Sequence, residues 1–82
     1  MSRTRDLVEV VAKALADERD SVAVKEEERR DSTRVEVSVG PGELGKLIGR
    51  QGRTAAAVRT LASATAELEG RLAIVDFLDG RE

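Results

Sequence analysis

Several residue types that small proteins use to build chemical sites are missing from this sequence. Its 82 residues include no cysteine and no histidine, which excludes disulfides, thiol catalysis and the commonest zinc ligands. Tyrosine and tryptophan are also absent and Phe77 is the one aromatic residue, so the chain has no row of exposed aromatics for stacking bases. The acidic residues form no converging cluster. The sequence therefore predicts a protein that is not an enzyme, without catalytic residues, metal or cofactor.

Long apolar segments are missing as well. No run of apolar residues approaches the length that crosses a membrane. The first ten residues, MSRTRDLVEV, lack the apolar core of a signal peptide. We expect one small domain over residues 1–82, with its core between about 5 and 78, located in the cytoplasm and not in a membrane.

Acidic residues are missing from one continuous part of an otherwise balanced chain. The formal net charge is −2, which argues against general binding to polyanions. Between residues 44 and 66, however, the charged residues are Lys46, Arg50, Arg53 and Arg59, all of them basic. We expect a local positive field there. The alternative is a solvated helix face that simply has no acids.

The first half of the chain contains one helix pattern and two strand patterns. Apolar residues at helical spacing predict a first helix over Arg5–Glu18, with Thr4 as its N-cap. Alternating valines predict two antiparallel strands around Val22–Val24 and Val35–Val39, joined by the charged connection EEERRDS. The acidic run Glu26–Glu28 is expected to form a solvated loop or edge.

The second half predicts two more helices and a strand. A short helix from about Gly42 to Ile48 precedes a break at Gly49–Gly52, and a long helix then runs from about Arg53 to Leu68 and ends at Gly70. The last run, LAIVDFL, is apolar on both faces, which predicts a strand with strong coverage. Two helices connect the second and third strands, so these strands should be parallel. The predicted fold is α+β, in the order α-β-β-α-α-β, with a three-stranded mixed sheet and three helices on one face.

The two faces of the long helix differ in composition. The residues predicted to face inward are Ala55, Val58, Leu61, Ala62 and Thr65. The opposite face carries small uncharged residues over nearly three turns, where a solvated helix usually carries charges. We expect a second helix to pack on this face at Ala57, Thr60 and Ala64. The alternative is that alanine serves helix propensity alone.

The segment GPGELGKLIGRQGR, residues 40–53, fits three phosphate-handling patterns. A dinucleotide fingerprint is rejected because about twenty residues on, where an acidic residue should end the next strand, the chain is still in the long helix, at Glu67 and Glu69, and because the chain is too short for that fold. A P-loop is rejected because Leu47 stands where a magnesium-binding hydroxyl is needed and Pro41 removes a backbone donor. The remaining pattern is G-x-x-G over Gly49–Gly52.

The G-x-x-G pattern lies where two predicted helices meet. Glycine at each end permits a sharp turn with positive φ and lets a sugar-phosphate backbone come close. The N-terminus of the following helix points its free N–H groups and the positive end of its dipole into the same place. Arg50 and Arg53 add positive charge, and Lys46 lies one helical turn earlier. These features favour a polyanionic strand that passes over the turn.

The predicted element order together with GKLIGRQGRTAAAVRTL resembles the KH domain in its type II arrangement. More narrowly, the chain from Leu7 to Phe77 is similar to the small bacterial single-domain KH proteins of the KhpA (YlqC-like) family. The resemblance implies that the G-x-x-G turn clamps the backbone of about four unpaired nucleotides. Leu44, Leu47 and Phe77 are expected to be mostly core. The RNA-binding residues that it implies are Lys46, Ile48 as a buried anchor, Gly49, Arg50, Gln51, Gly52 and Arg53.

The resemblance also implies partners and a cellular role. Its partners would be single-stranded RNA and a larger KhpB (Jag/EloR)-like protein, or a second copy of the chain in a homodimer. Its role would be that of an RNA chaperone or post-transcriptional regulator connected with cell shape and cell wall biogenesis. Two alternatives stay open: a KH-fold protein-interaction scaffold without direct RNA binding, and a single-stranded DNA binder. Small residues at Ala55–Ala57 predict few phosphate contacts and modest affinity.

Overall fold

The computed structural model describes residues 2–79 and confirms the predicted order of elements. Two short 3-10 turns, Arg19–Ser21 and Arg50–Gly52, join neighbouring elements. The helices and strands are α1 (Arg3–Leu15), β1 (Ala23–Glu28), β2 (Ser32–Val39), α2 (Leu44–Ile48), α3 (Arg53–Leu68) and β3 (Leu72–Asp79).

The three strands form one mixed sheet in the order β1-β2-β3. β1 and β2 are antiparallel, whereas β2 and β3 are parallel, as the two-helix connection predicts. Alternate residues of β2 are buried on the face that the helices cover: Thr33, Val35, Val37 and Val39. The same core takes in buried residues from each of the three helices, so the prediction of three helices on one face is confirmed.

The prediction that β3 has strong coverage is wrong. Val75 is 5% exposed, but Leu72, Ile74 and Leu78 are 66%, 46% and 42% exposed. Side chains alternate between the faces of a strand, and the helices of residues 2–79 cover one face of the sheet. β3 is also an edge strand. Its even-numbered apolar residues therefore lie on the uncovered face.

The predicted start and end of the first helix are also wrong. α1 begins at Arg3, and the Oγ of Ser2 caps it by accepting a 3.0 Å hydrogen bond from the Arg5 N–H. Thr4 is not the cap but a fully buried residue of the first turn. Either hydroxyl can cap a helix, and the cap at Ser2 places Thr4 against the core. The helix ends at Leu15 instead of Glu18, because the next residue has an extended backbone.

The predicted connection between the first two strands is too long. The acidic run at residues 26–28 belongs to β1, and the turn is confined to residues 29–31. Because β1 is the other edge strand, the expectation that these acids lie at an edge holds. Charged side chains at an edge discourage pairing with a further strand.

The prediction of α3 was accurate in its bounds and partly wrong in its inward face. Gly70, with φ of +71°, follows the C-cap, and the Arg71 N–H donates to the Ala66 carbonyl at 2.9 Å. Leu61 is 51% exposed and Thr65 is partly buried. The buried stripe instead continues one residue further, to Ala66, and consists of Ala55, Val58, Ala62 and Ala66.

The Arg71 side chain connects the end of α3 to the turn between β1 and β2. Its Nε–H donates to Thr33 Oγ1 at 2.9 Å, and Nη2 donates to the Ser32 carbonyl at 2.6 Å and to the Arg29 carbonyl. The N–H of the next residue, Leu72, donates to a carbonyl of the same turn at 2.9 Å. These contacts hold the first residue of β3 against the first residue of β2.

Candidate nucleic-acid interface

A sharp turn with three residues at positive φ separates α2 from α3. Gly49 has φ of +78° and ψ of 173°, Gln51 has φ of +56°, and Gly52 has φ of +74°. The Gly52 N–H closes the turn on the Gly49 carbonyl at 3.1 Å. The conformation of Gly49 lies in a region that is essentially restricted to glycine. Gly49 is therefore a glycine for a conformational reason, and Gly52 has a left-handed backbone that favours glycine.

The two glycines differ in what surrounds them. A Cβ added to Gly49 would overlap Thr54 Oγ1 and lie 2.7 Å from Thr54 Cβ. A Cβ added to Gly52 would meet no described atom within 4 Å. Gly49 is thus required by packing within the chain, whereas Gly52 keeps the outer surface of the turn open to a close approach.

Positive charge and a helix N-terminus without a side-chain cap meet at this turn. No side chain caps the N-terminus of α3, and its first turn has no acidic residue. Arg53 Nη2 donates to Gln51 Oε1 at 3.0 Å, while the exposed Arg50 side chain forms no hydrogen bond or ion pair with any residue in 2–79. An uncapped helix N-terminus beside an unpaired guanidinium favours an anion.

Lys46, the other basic residue of the predicted site, is already paired. Its Nζ contacts the Asp17 carboxylate and lies 3.7 Å from Glu43 Oε2. The hydrogen bond to Asp17 raises the pKa of Lys46 above its usual value. Glu43 Oε1 in turn accepts a 2.8 Å hydrogen bond from the Asp17 N–H. Two acids therefore offset the positive charge of Lys46, and the positive field at the turn comes mainly from Arg50 and Arg53.

The apolar residues before the turn divide into core and surface. Leu47 is 1% exposed and belongs to the core, whereas Leu44 is partly buried against it. Ile48, predicted as the buried anchor, is partly buried. It follows that Leu47 anchors α2 to the sheet and that Ile48 keeps part of its side chain accessible beside the turn.

Arg59, which the sequence placed in the positive field, contacts β3. Its Nε–H donates to the Val75 carbonyl at 3.1 Å, and its guanidinium carbon lies 5.2 Å from the centroid of the Phe77 ring. Phe77 is partly buried against the core. The helical spacing alone could not reveal this arrangement, because it depends on how β3 passes α3.

The residues predicted to receive a second helix are all exposed. Ala57, Thr60 and Ala64 lie on the outer face of α3. Leu61, predicted to face inward, is exposed beside them, as is Leu68 with 84% exposure. The outer face of α3 therefore carries two large apolar side chains in addition to the small ones.

The order of elements, the mixed sheet and the glycine turn between α2 and α3 define a KH domain of type II. Two solved structures of Era share this fold. One is Era in complex with MgGDPNP and a segment of 16S ribosomal RNA, with a TM-score of 0.67, 23% identity and coverage of 93% of this chain and 29% of the Era chain. The other, Aquifex aeolicus Era bound to GDP and aluminium fluoride, has the same TM-score and 22% identity. At these identities the likeness concerns the fold alone.

The family model of the KhpA/KhpB KH domain matches residues 5–77. An RNA-binding protein KhpA of Aquifex aeolicus is 42% identical over 96% of this chain and 100% of its own length. The protein of the same name from Mycobacterium bovis is 45% identical over 90% of this chain and 89% of its own. This chain belongs to the KhpA/KhpB KH-domain family. In the part of the chain that the structure describes, no helix is long and apolar enough to cross a membrane.

Proposed function

We propose that this chain binds single-stranded RNA across the turn Gly49–Gly52. The observation that carries the proposal is the turn itself, which combines an open glycine, an uncapped helix N-terminus and an unpaired arginine. The names of the KhpA relatives, which are RNA-binding proteins, favour RNA over single-stranded DNA.

The role of each residue follows from its position. The missing side chain of Gly52 lets a phosphate approach the N-terminal end of α3 and the positive end of its dipole. Arg50 and Arg53 contact phosphates as charge-assisted donors, and Gln51, between them, holds Arg53 in place. Lys46 adds to the field only when its pairing with Asp17 opens. The accessible part of Ile48 contacts a base or sugar beside the turn.

The turn is tested by replacing Arg50 and Gln51 with aspartates. Both side chains are exposed, so we expect the fold to persist and RNA binding to collapse, because like charges then meet the phosphates. Fluorescence anisotropy with a short unstructured RNA measures the binding, and circular dichroism with melting confirms the fold.

The control for charge reversal away from the turn is Arg30→Asp. Arg30 is exposed in the turn between β1 and β2, and its side chain forms no ion pair within residues 2–79. We expect this variant to bind nearly as the parent does. A folded Arg50→Asp/Gln51→Asp variant that keeps the parent's affinity would show that the turn is not the clamp. In that case the chain is better explained as a protein-interaction scaffold.

The same assay tests the form of the nucleic acid. A clamp for about four nucleotides cannot open a stable duplex, so the chain should bind a single strand and reject a blunt RNA duplex of the same sequence. With few phosphate contacts, the affinity should be micromolar or weaker, about −8 kcal/mol. Equal affinity for the duplex and for its separated strand would contradict this mode of binding.

We further propose that the outer face of α3 pairs with a second helix. Ala57, Thr60 and Ala64 allow a close approach, and the exposed Leu61 and Leu68 add apolar area on the same side. Large exposed apolar side chains in one patch are typical of interaction surfaces. Pairing two weak modules increases avidity for one RNA strand. The partner is a second copy of this chain or the KH domain of a KhpB-like protein, consistent with action as an RNA chaperone or post-transcriptional regulator in cell shape and cell wall biogenesis.

The pairing surface is tested by sedimentation equilibrium of the Thr60→Glu/Ala64→Glu variant. Two glutamates at the centre of a close helix contact would be desolvated without partners, so we expect the dimeric parent to become monomeric. The control is Val10→Glu/Ala14→Glu, which adds the same charges to the exposed face of α1. A parent that is monomeric at tens of micromolar, or a dimer whose mass is unchanged in the Thr60→Glu/Ala64→Glu variant, would contradict the proposed surface.

A further inference from the structure

Arg59 is an exposed arginine whose guanidinium is nevertheless held in place. The 3.1 Å hydrogen bond from its Nε to the Val75 carbonyl and its position over the Phe77 ring fix it from two sides. Its Nη1 and Nη2 atoms form no hydrogen bond or ion pair with the residues described. Ordering an exposed arginine side chain costs rotamer entropy. Because contacts within the chain already order Arg59, it is pre-organised, and most of its donors stay unused.

The guanidinium lies at the free edge of the sheet. The Leu72 N–H donates toward β2, to the Asp31 carbonyl, and in a strand alternate residues direct their backbone groups to the same side. The odd-numbered residues of β3, Val75 and Phe77 among them, therefore direct their N–H and C=O groups away from β2. The contact between Arg59 and the Val75 carbonyl is thus made at the outer edge.

The distance from the proposed clamp suits a short RNA strand. Arg59 lies six residues after Arg53 on α3, which corresponds to about 9 Å along a helix. A stacked nucleic-acid strand advances about 3.4 Å per nucleotide. A strand that runs from the turn along α3 therefore covers this axial distance within the about four nucleotides that the clamp accepts.

The guanidinium also has the chemistry that a base requires. Unpaired bases stack on aromatic rings or on the planes of arginine guanidinium groups. This chain has one aromatic residue, Phe77, and the Arg59 guanidinium lies over its ring. The covered side of the ring is therefore not available to a base. A guanidinium supported by a ring on one side keeps its other side for a second planar group.

We propose that the Arg59 guanidinium, supported by Phe77, is the stacking platform for one base of the bound RNA. The platform takes the place of the exposed aromatic that this chain lacks. It rests on the proposed function, because it requires that RNA is held at the Gly49–Gly52 turn. Since every base has a planar face, the platform favours no base strongly; it fixes where along the strand a base is required.

The test compares the parent with Arg59→Lys, which keeps the positive charge and loses the planar group. Each is titrated by fluorescence anisotropy with a short single-stranded RNA and with a series in which one nucleotide at a time is abasic. For the parent, we expect one abasic position to reduce affinity by about 5-fold to 150-fold, the value of one stacked base. Arg59→Lys should show a similar loss on the intact RNA and no further loss at that position.

A second variant removes the supporting ring and keeps the charge of Arg59. For this variant, Phe77→Leu, we expect a smaller loss on the intact RNA than Arg59→Lys shows, with a reduced effect of the same abasic position. Circular dichroism establishes that this variant is folded. If it is not, the comparison of Arg59→Lys with the abasic series decides alone.

The possible outcomes distinguish the two proposals. An Arg59→Lys variant that binds every RNA as the parent does, or that loses affinity equally at all positions, overturns the platform while the clamp stands on the Arg50→Asp/Gln51→Asp result. If Arg59→Lys shows the expected pattern while the turn variant binds normally, a base stacks on Arg59 in an RNA that is not held at the turn, and this overturns the clamp and the path from the turn to Arg59. A parent that binds no single-stranded RNA overturns both. Increased self-association of Arg59→Lys with unchanged affinity would show that Arg59 only protects the edge of β3.

Discussion

Replacing Gly49 with alanine is expected to destabilise the fold more than any other glycine substitution in the segment from residue 40 to 53. The backbone there, with φ of +78° and ψ of 173°, costs a residue with a side chain about 1–3 kcal/mol. The new Cβ would also overlap Thr54, and overpacking of this kind costs about 1–3 kcal/mol more. Alanine regains about 0.4–1 kcal/mol by restricting the unfolded chain. The net loss is therefore about 3 kcal/mol.

Such a loss is large for a chain of 82 residues, whose total stability is expected to be about 4–12 kcal/mol. It corresponds to a fall in melting temperature of about 12–24 °C for a domain of this size. Thermal and urea unfolding followed by circular dichroism measure both quantities.

Two neighbouring glycines provide matched comparisons. Gly52 also has a positive φ, but a Cβ added there would meet no neighbouring atom. We therefore expect Gly52→Ala to lower the free energy of unfolding by about 1 kcal/mol. Gly45→Ala lies within α2, with ordinary φ and open space, and should stabilise by about 0.5–1 kcal/mol. If Gly49→Ala melted within a few degrees of Gly52→Ala, the contact with Thr54 would not constrain the turn and the reasoning above would be refuted.

Two further predictions concern ion pairs. Asp17→Asn removes the closer of the two acids that offset Lys46. We expect RNA affinity to rise by less than tenfold, because exposed pairs contribute about 0–1 kcal/mol, and the dependence on log salt to steepen by up to about 0.7. No gain over the control Asp20→Asn in anisotropy titrations would contradict this. A hydrogen bond from Lys13 lowers the pKa of Glu9 below 4.5. The stabilising contribution of Glu9 is therefore fully present above its pKa in the unfolded state, and it is lost as pH falls through its lowered pKa in the folded state. Urea unfolding from neutral pH to about pH 3 should therefore show a smaller loss of stability for Glu9→Gln than for the parent, and equal losses would exclude Glu9 from the acid response.

The order of elements could be predicted because each local pattern agrees with the fold. The valines of β2 alternate without interruption, and glycines mark both ends of the turn between α2 and α3. The predictions of this strand and this turn therefore do not depend on distant residues. The bounds of α3 were predicted for the same reason: Gly52 and Gly70 both have positive φ, at +74° and +71°.

The remaining features depend on contacts between distant parts of the chain. The ion pair between Lys46 and Asp17 joins residues 29 positions apart. Near Lys46 in the sequence the one acid is Glu43, so the local pattern does not reveal the pairing with Asp17. Leu61 was assigned to the core because a stripe through residues 58, 61 and 65 and a stripe through 58, 62 and 66 both fit helical spacing. The choice between them is made by the sheet and α1, on which α3 packs.

The Arg71 contacts have a consequence for how this chain encodes its own register. The apolar side chains of β3 lie on both faces, with Leu72 and Ile74 on one and Val75 and Phe77 on the other, and Asp76 marks the outward face by pairing with Arg34. A slip of one residue would exchange the two sets and would carry Asp76 to the inward face. The Arg71 side chain donates to the Arg29 and Ser32 carbonyls and to the Thr33 hydroxyl, so the residue just before the strand supports the register that Asp76 marks.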